Sequence, residues 1–467
     1  MGSGPFCPPI SGTGLGADVG ASGDFCIAGL GVSDIDIFMN TTPNTSATAR
    51  QCAVELLAQV LEQKRPFDEA AARHRELGTL SDRDRNFTRL LVMTVLRRLG
   101  QIDALLTRML QKPLQGKTQD VMHILRLGTA QLIWLGTPAH AAVHTMVETT
   151  NALGHEAMKG LVNAVLKRIA AEGSAIIATQ DEAALNTPSW LWHAWRKTYG
   201  EAAVRAIAAT HLVEPPLDIT VKEDAEGWAR KLGGEVLSTG SVRLHKTGRV
   251  EALTGYNDGA WWVQDAAAAL PVKLLGDVRG KTVLDLCAAP GGKTAQLVTC
   301  GALVTSVDKS ARRLKTLADN LQRLQLTAEL IEADMLRWKP VAAYDAILLD
   351  APCSATGTLR RHPEIAWCRT SEDSEELAEL QKRLLRRAAS WLKPGGKLVY
   401  CVCSLQPEEG EQQEMPSQLK PVSSVQSWPK ELYPFLTQLN AIRTHPGLWA
   451  DKGGIDGFYA ILCEAVK

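Results

Sequence analysis

The amino-acid sequence predicts an α/β protein in which a doubly wound, mostly parallel sheet follows an all-α bundle and a small α+β connecting region. Two observations predict this order. Apolar residues recur with helical periodicity before residue 172, whereas strand-like and helical segments alternate after residue 261. Short alternating strands bounded by Pro and Gly lie between the two regions. With 467 residues, the chain is long enough for two or three domains.

The C-terminal domain, 261–467, is predicted from short apolar segments that alternate with helices. The predicted strands are 282–286, 303–307, 328–331, 346–349 and 397–400, and the predicted helices are 295–299, 311–324 and 375–391. Strand–helix alternation favours parallel strands joined by helical crossovers. A last strand at 457–463 is expected to run antiparallel at the far end of the sheet.

Three regions precede this domain. Residues 47–172 show four amphipathic helical faces separated by Gly and Pro, which predicts an all-α domain. Residues 186–260 combine one helix, ended by Pro215 and Pro216, with strands at 217–221 and 242–245, which predicts a small α+β region. Residues 1–46 are rich in Gly and Ser and contain no Lys or Arg, so we predict that they are disordered or an extension outside the native protein.

The overall charge gives no general affinity for nucleic acid, because 51 basic and 51 acidic side chains cancel to a net charge of zero. Locally, residues 73–98 contain seven arginines against three acidic residues. This run predicts a solvated helix face with Ser81 as the N-cap. The alternative interpretation is a surface that contacts an RNA backbone.

Cysteine usage and hydropathy predict a cytoplasmic, soluble protein. The ten cysteines are dispersed without CxxC pairs, which is typical of a reducing compartment, and no apolar run approaches the ~20 residues that span a bilayer. His140 and His144 lie four residues apart and could imitate a metal-binding pair. Since no third ligand is evident, we interpret them as packing or capping residues and predict no metal.

The loop after the first predicted strand of the C-terminal domain has the composition of a ligand-binding turn. Its glycines let the backbone approach a ligand and expose amides at a helix N-terminus. It fails as a phosphate loop because position 287, where the first Gly should be, is Cys. Asp308, Asp334 and Asp350 follow the next three strands. Singly, each could be a cap or turn residue. Together they favour a ligand with hydroxyl and amino groups, and S-adenosylmethionine fits.

Cys353 and Cys403 each lie just beyond a predicted buried strand. The carboxyl ends of parallel strands meet at the edge where open α/β sheets bind ligands, so these cysteines are candidates for catalysis. Taken alone, each could instead be a buried structural cysteine. Cys401 lies within the strand and is expected to belong to the core by alternation.

Several long motifs together resemble those of the RNA cytosine-C5 methyltransferases. They are Trp-Trp-Val-Gln-Asp at 261–265, Asp-Leu-Cys-Ala-Ala-Pro-Gly-Gly-Lys-Thr at 285–294, Leu-Asp-Ala-Pro-Cys-Ser-Ala-Thr-Gly at 349–357, Arg-His-Pro-Glu at 361–364, Leu-Lys-Pro-Gly-Gly at 392–396 and Cys-Ser-Leu-Gln-Pro-Glu-Glu at 403–409. The helical region, with motifs at 80–85, 95–98, 138–143 and 160–166, resembles a NusB-type RNA-binding domain. This pairing is similar to the bacterial small-subunit ribosomal RNA methyltransferases of the RsmB (Sun/Fmu) type.

The resemblance implies a set of site residues. S-adenosylmethionine would be bound by Cys287, Ala288, Ala289, Pro290, Gly291, Gly292, Lys293, Asp308, Asp334 and Asp350. Cys403 would be the nucleophile, and Cys353 would help to resolve the covalent intermediate. Asp350 could hydrogen-bond the cytosine N3 and amino edge, with Lys293 assisting in the same pocket.

The sequence departs from the family pattern at three places. Val402 precedes the expected nucleophile where the family usually has Thr, and Gly410 stands where Asn is usual. Residues 415–421 depart from the expected helical continuation.

The predicted partner is RNA, with 16S ribosomal RNA as the expected substrate, and we expect a monomer that binds neither DNA nor membranes. Three alternatives stay open. The first is a transfer RNA cytosine-C5 methyltransferase. The second is a DNA cytosine-C5 methyltransferase, in which the cysteine after Pro352 would attack. The third is a non-catalytic RNA-binding assembly factor.

Overall fold

The structure is a computed structural model that describes residues 43–114, 116–245, 248–422 and 430–466. The prediction for residues 1–46 therefore falls almost entirely outside the described residues. Among the described helices, none is long and apolar enough to cross a membrane.

The N-terminal part is an all-α bundle, as predicted. Its helices are α1 (Pro43–Leu61), α2 (Phe67–Arg73), α3 (Arg75–Thr79), α4 (Asp82–Arg97), α5 (Leu99–Met109), α6 (Gln119–Ile133), α7 (Ala139–Ala152) and α8 (Lys159–Ile177). Their apolar faces share one core, which includes Leu56, Leu91, Ile124 and Leu166. Ser81 is the N-cap of α4, as expected, because its Oγ accepts a hydrogen bond of 3.1 Å from the Asp84 amide.

The connecting region contains more helix than the sequence indicated. The helices α9 (Glu182–Leu185), α10 (Ser189–Tyr199) and α11 (Glu201–His211) precede the first strand. The single helix expected here is divided at Gly200, whose φ of 84° ends α10. An antiparallel sheet in the order β2-β3-β1-β4 follows, formed by β1 (Leu217–Val221), β2 (Glu235–Val236), β3 (Val242–Leu244) and β4 (Trp261–Val263), with α12 (Ala225–Leu232) between β1 and β2.

The C-terminal domain is a Rossmann-like α/β sheet in the order β10-β12-β9-β8-β5-β6-β7, with β11 added beside β12. Its elements are α13 (Leu270–Leu274), β5 (Thr282–Leu286), α14 (Gly292–Thr299), β6 (Leu303–Asp308), α15 (Ala311–Arg323), β7 (Glu329–Glu332), β8 (Tyr344–Asp350), α16 (Ile365–Cys368), α17 (Ser371–Ala389), β9 (Leu392–Val402), β10 (Leu419–Pro421), β11 (Ile442–Thr444) and β12 (Phe458–Ala465). The strands β5 to β9 pair in parallel, which confirms the predicted fold class.

The last strand differs from its prediction in position. β12 is antiparallel to β9, as expected, but it lies between β9 and β10 and not at the end of the sheet. Residues 415–421, which depart from the family pattern, contain the strand β10 that occupies this edge. The antiparallel edge brings the C-terminus of the chain beside the strand that precedes Cys403.

The helical bundle contacts the C-terminal domain through the segment that follows Gly357. Trp367 Nε1 donates a 2.8 Å hydrogen bond to the Leu96 carbonyl of α4. From the bundle side, Arg97 donates to the carbonyls of Arg360 and His211, at 2.7 and 2.9 Å. Burial lowers the pKa of Arg97 to about 10. Arg97, which the sequence placed on a solvated basic face, is therefore a partly buried contact between the bundle and the rest of the protein.

Candidate active site

The loops that follow the parallel strands all open at one edge of the sheet. The cofactor-type loop, residues 287–293, follows β5, and Asp308 and Asp350 end β6 and β8. Asp334 lies two residues beyond β7, and Cys403 lies one residue beyond β9. Since β5 to β9 run in parallel, the structure brings every predicted site residue to the same edge.

The loop after β5 needs its glycine at position 291. Gly291 has a φ of 100°, and a Cβ there would lie 2.7 Å from Leu317 Cγ of α15. Any other residue would therefore be strained and would collide with the helix. The loop is also tied to the end of β6, because the Ala289 amide donates a 3.2 Å hydrogen bond to Asp308 Oδ2. These contacts fix the path of the backbone where α14 begins.

The three strand-end aspartates differ in exposure and in local role. Asp308 is buried and also accepts a hydrogen bond from the Ser310 amide at 3.0 Å. Asp334 is exposed, and its Oδ1 accepts from the Leu336 amide at 2.9 Å. Both residues therefore act as turn residues, which was the alternative interpretation of each. They still follow neighbouring strands at the same edge of the sheet.

Asp350 forms a charged pair with Lys293. The Lys293 Nζ lies 2.8 Å from Asp350 Oδ2 and 5.0 Å from the centre of the Phe458 ring. Burial alone would lower the pKa of Lys293, but the Asp350 carboxylate and its hydrogen bond raise it above the ordinary value. Lys293 is thus a fixed cation at this edge of the sheet.

The sulfur atoms of Cys353 and Cys403 are in contact, 3.4 Å apart. The hydrogen bond with Cys403, together with burial, raises the pKa of Cys353 well above its ordinary value. Cys353 therefore keeps its proton at neutral pH. Either of the two thiols can be the donor in the hydrogen bond between them. Cys401 is fully buried, as predicted for a core residue, and its Sγ lies 3.6 Å from Asp350 Oδ1.

In the described part of the chain, one group of side chains has metal-ligand types close together, namely Glu55, His74 and Glu76 in the bundle. Both ring nitrogens of His74 already have partners. Nδ1 accepts from the Leu77 amide at 3.2 Å as the N-cap of α3, and Nε2 lies 2.8 Å from a Glu55 carboxylate oxygen. This arrangement is explained by helix capping. The absence of a metal from the reaction stays a prediction.

Comparison with known proteins identifies the family. Residues 272–463 match the family model for the 16S rRNA methyltransferase RsmB/F, and residues 47–171 match that of the NusB family. Ribosomal RNA small subunit methyltransferase B of Citrobacter koseri is 35% identical over 381 residues, which cover 78% of this chain and 88% of that protein. The protein of that name from Cronobacter sakazakii is 35% identical over 393 residues, covering 79% and 89%.

The chain belongs to the RsmB/F family of RNA methyltransferases. Solved structures share the fold. The crystal structure of PH0851 superimposes with a TM-score of 0.70 at 20% identity, covering 91% of this chain and 99% of the other. The structure of NSun6 from Pyrococcus horikoshii with SFG gives a TM-score of 0.51 at 18% identity, covering 60% and 98%. The family match and the two relatives confirm the predicted enzyme class, an RNA methyltransferase.

Two departures from the family pattern have local explanations. Val402 packs in the apolar cluster of Leu398 and Tyr400, whereas Cys403 contacts the cluster on the other face of the sheet. The hydroxyl absent at position 402 would therefore point away from Cys403. At Gly410, a Cβ would lie 2.5 Å from Arg443 Nη2, so glycine leaves room for the Arg443 side chain.

Sequence reasoning missed the polar residues that surround the cysteine pair. Ser354 and Ser404 are fully buried, and each directly follows one of the cysteines. Their hydroxyls are 3.0 Å apart, and both donate to the carboxylate of Glu409. A signal was present, because Ser follows the cysteine in both motifs and Glu409 ends the second motif, but nothing in a linear sequence shows that these side chains meet.

The buried carboxyl group of Asp285, at the end of β5 before the cofactor-type loop, is expected to make the stability of the fold depend on pH. Burial, with the nearby Asp350 and Asp308 carboxylates, raises its pKa to about 7, although Thr294 donates a hydrogen bond to it. The pKa of Asp285 in the folded state lies above its ordinary value of 3.8. The contribution of Asp285 to the free energy of unfolding is therefore complete below about pH 4 and is lost as the pH rises through about 7. As the pH rises from about 4 to about 7, the wild type should therefore lose stability and Asp285→Asn should not, so the stability of the variant relative to the wild type increases.

Urea unfolding of the Asp285→Asn variant and the wild type at pH 5 and pH 8 measures this effect. Exposed Asp277→Asn is the control, because hydrogen bonds from Arg279 lower the pKa of Asp277 and place its titration below pH 4. A difference between Asp285→Asn and wild type that stays constant from pH 5 to pH 8 would contradict the assignment.

Proposed function

We propose that this enzyme transfers a methyl group from S-adenosylmethionine to C5 of a cytosine in 16S ribosomal RNA, through a covalent bond between Cys403 Sγ and C6. The observation that supports this most strongly is the 3.4 Å contact between the Cys353 and Cys403 sulfurs, at the edge that also holds Lys293 and Asp350. The names of the relatives supply the choice of ribosomal RNA.

The chemistry requires a nucleophile because C5 of cytosine does not attack a methylsulfonium directly. Addition of the Cys403 thiolate to C6 moves electron density to C5, which then takes the methyl group. Removal of the C5 proton and departure of the thiolate restore the aromatic ring. The protonated Cys353 thiol, which contacts the Cys403 sulfur, helps to resolve this intermediate by giving its proton to the departing Cys403 thiolate, while solvent water takes the proton from C5.

Lys293 and Asp350 supply complementary charges for the addition step. A negative charge on Cys403 contributes to raising the pKa of Lys293, so the Lys293 ammonium in turn attracts the thiolate. The Asp350 carboxylate accepts a hydrogen bond from the cytosine amino group, and from N3 once N3 is protonated during addition. Uracil lacks that amino group, so this contact favours cytosine. The base must leave any helical stack to reach Cys403.

The residues at the sheet edge fit S-adenosylmethionine. Carboxylates at the ends of β6 and β8 and just beyond β7 accept hydrogen bonds from hydroxyl and amino groups, and their negative charge suits a sulfonium and repels phosphates. Cys287, with a φ of 59°, occupies the position where a phosphate loop has its first glycine. When bound, S-adenosylmethionine supplies the electrophilic methyl group.

Two measurements test the proposal and its alternatives. Titration calorimetry with S-adenosylmethionine should show binding, and its absence would favour the non-catalytic RNA-binding factor. Bisulfite sequencing of ribosomal and transfer RNA from a strain lacking the protein should show a lost methylcytosine in 16S ribosomal RNA. A mark lost only from transfer RNA would favour the transfer RNA alternative.

A further inference from the structure

Glu409 is a fully buried carboxylate that lies between the two loops of the cysteine pair. It ends a short 3-10 turn, residues Pro407–Glu409, six residues beyond Cys403. The proposed steps of the reaction do not require it. A buried carboxylate is costly unless every oxygen is hydrogen-bonded, so its partners show what it does.

Four donors surround the Glu409 carboxylate. Oε1 accepts from the Ser354 amide at 2.8 Å and from Gln381 Nε2 at 3.0 Å. Oε2 accepts from the Ser404 hydroxyl at 2.5 Å and from the Ser354 hydroxyl. Glu409 therefore contacts the residue after Cys353 and the residue after Cys403 with the same oxygen atom.

The directions of the hydrogen bonds fit an ionised Glu409. Ser404 Oγ accepts from the Gln406 amide at 3.0 Å, which leaves the Ser404 proton for Glu409. Thr356 Oγ accepts from the Leu405 amide at 3.1 Å and lies 3.2 Å from Ser404 Oγ. Burial raises the pKa of Glu409, and the hydrogen bonds from Ser354 and Ser404 oppose that rise.

The backbones of the loops that contain Cys353 and Cys403 are also in close contact. The Gly357 amide donates a 3.0 Å hydrogen bond to the Cys403 carbonyl, and a Cβ on Gly357 would lie 2.9 Å from that carbonyl oxygen. With the backbones in contact, the side-chain bonds from Glu409 set the orientation of both loops. The negative charge of Glu409 is also one of the causes that raise the pKa of Cys353.

We propose that Glu409 is a positioning residue for methyl transfer, whose carboxylate aligns Ser354 and Ser404 and thereby holds Cys353 in contact with Cys403. This inference rests on the proposed function, because it assigns the two cysteines their roles in that reaction. Glu409 acts through its neighbours and is not expected to touch the RNA or the methyl donor.

Two substitutions separate the charge of Glu409 from its contacts. Glu409→Gln keeps the shape and can still hydrogen-bond the two hydroxyls, which are free to rotate, but it removes the charge. Glu409→Ala removes both. Glu408→Gln is the matched control, because Glu408 is the neighbouring residue in the same turn and its carboxylate accepts from the Gln406 side chain, not from Ser354 or Ser404.

The readouts are the kcat and KM of methyl transfer to small-subunit ribosomal RNA, and the pH dependence of Cys353 alkylation by iodoacetamide, followed by mass spectrometry. Glu409→Ala should lower kcat by about 10²-fold with little change in the KM for S-adenosylmethionine, because misalignment affects the reacting groups and not binding. In Glu409→Gln, Cys353 should be alkylated at lower pH than in the wild type, because a nearby negative charge is gone.

A purely structural role would change the melting temperature without moving the alkylation profile. If Glu409→Gln and Glu408→Gln both match the wild type in kcat and in the alkylation profile, the inference is wrong. The alkylation measurement needs no RNA, so it tests the effect of Glu409 on Cys353 even if the proposed function is wrong. Failure of that function would appear separately, as a wild-type enzyme that forms no bond between Cys403 and RNA.

Discussion

Replacing Cys403 by Ala is expected to reduce methyl transfer by about 10⁴-fold or more, because the variant has no thiolate to add to C6. Cys353→Ala should behave differently. It retains the nucleophile but lacks the thiol 3.4 Å away that helps to resolve the intermediate, so a covalent protein–RNA complex should accumulate. Turnover measured with radiolabelled S-adenosylmethionine and denaturing gels of the RNA-bound protein distinguish the two variants.

Cys300→Ala is the matched control for these substitutions. Cys300 is an exposed free cysteine just beyond α14, so its loss should leave turnover unchanged. If Cys403→Ala retains turnover while Cys353→Ala loses both turnover and the covalent complex, the cysteine after Pro352 is the nucleophile. The site would then work in the manner expected of the DNA cytosine-C5 methyltransferases.

Replacing Arg360 by Ala is expected to destabilise the fold by about 3–5 kcal/mol, because the change leaves buried carboxylates short of a partner. Arg360 is fully buried, and its guanidinium lies 2.9 Å from oxygens of both Asp265 and Asp456. Arg361 also contacts these carboxylates, at 2.7 and 3.3 Å, but is partly exposed. Arg361 alone cannot supply all the hydrogen bonds that the two arginines together donate to these carboxylates.

Urea unfolding at pH 7 measures the effect of Arg360→Ala, with exposed Arg312→Ala on α15 as the control. Since Arg360 lies in the segment that joins the Cys353 loop to the helical bundle, turnover should fall as well. A change in the free energy of unfolding below about 1 kcal/mol would show that the carboxylates are adequately paired without Arg360.

The sequence was sufficient for the parallel strands of the catalytic sheet, because the pattern that predicts each of them is local. Each parallel strand is a short apolar run, and the strand predicted at 282–286 coincides with β5 (Thr282–Leu286). The order and direction of the strands determine where the residues that follow each strand lie. Asp308, Asp350 and Cys403 could therefore be assigned to one edge without any knowledge of side-chain contacts.

Contacts between distant parts of the chain could not be predicted in this way. The sulfurs of Cys353 and Cys403 belong to residues fifty positions apart, and their separation depends on how two loops pack. Arg97 gave a misleading signal, because an arginine in a basic run resembles a solvated residue until the distant carbonyls that accept its hydrogen bonds are known. The same holds for Glu409, whose partners lie on three separate segments.

The central claim is that Cys403 forms the covalent bond to RNA, and peptide mapping of a trapped complex tests it most directly. Small-subunit ribosomal RNA containing 5-fluorocytidine should trap the wild-type enzyme after methyl transfer, because C5 then carries no proton to lose. Digestion and mass spectrometry are expected to find the nucleotide on the peptide that contains Cys403. A nucleotide attached to the Cys353 peptide would contradict the assignment.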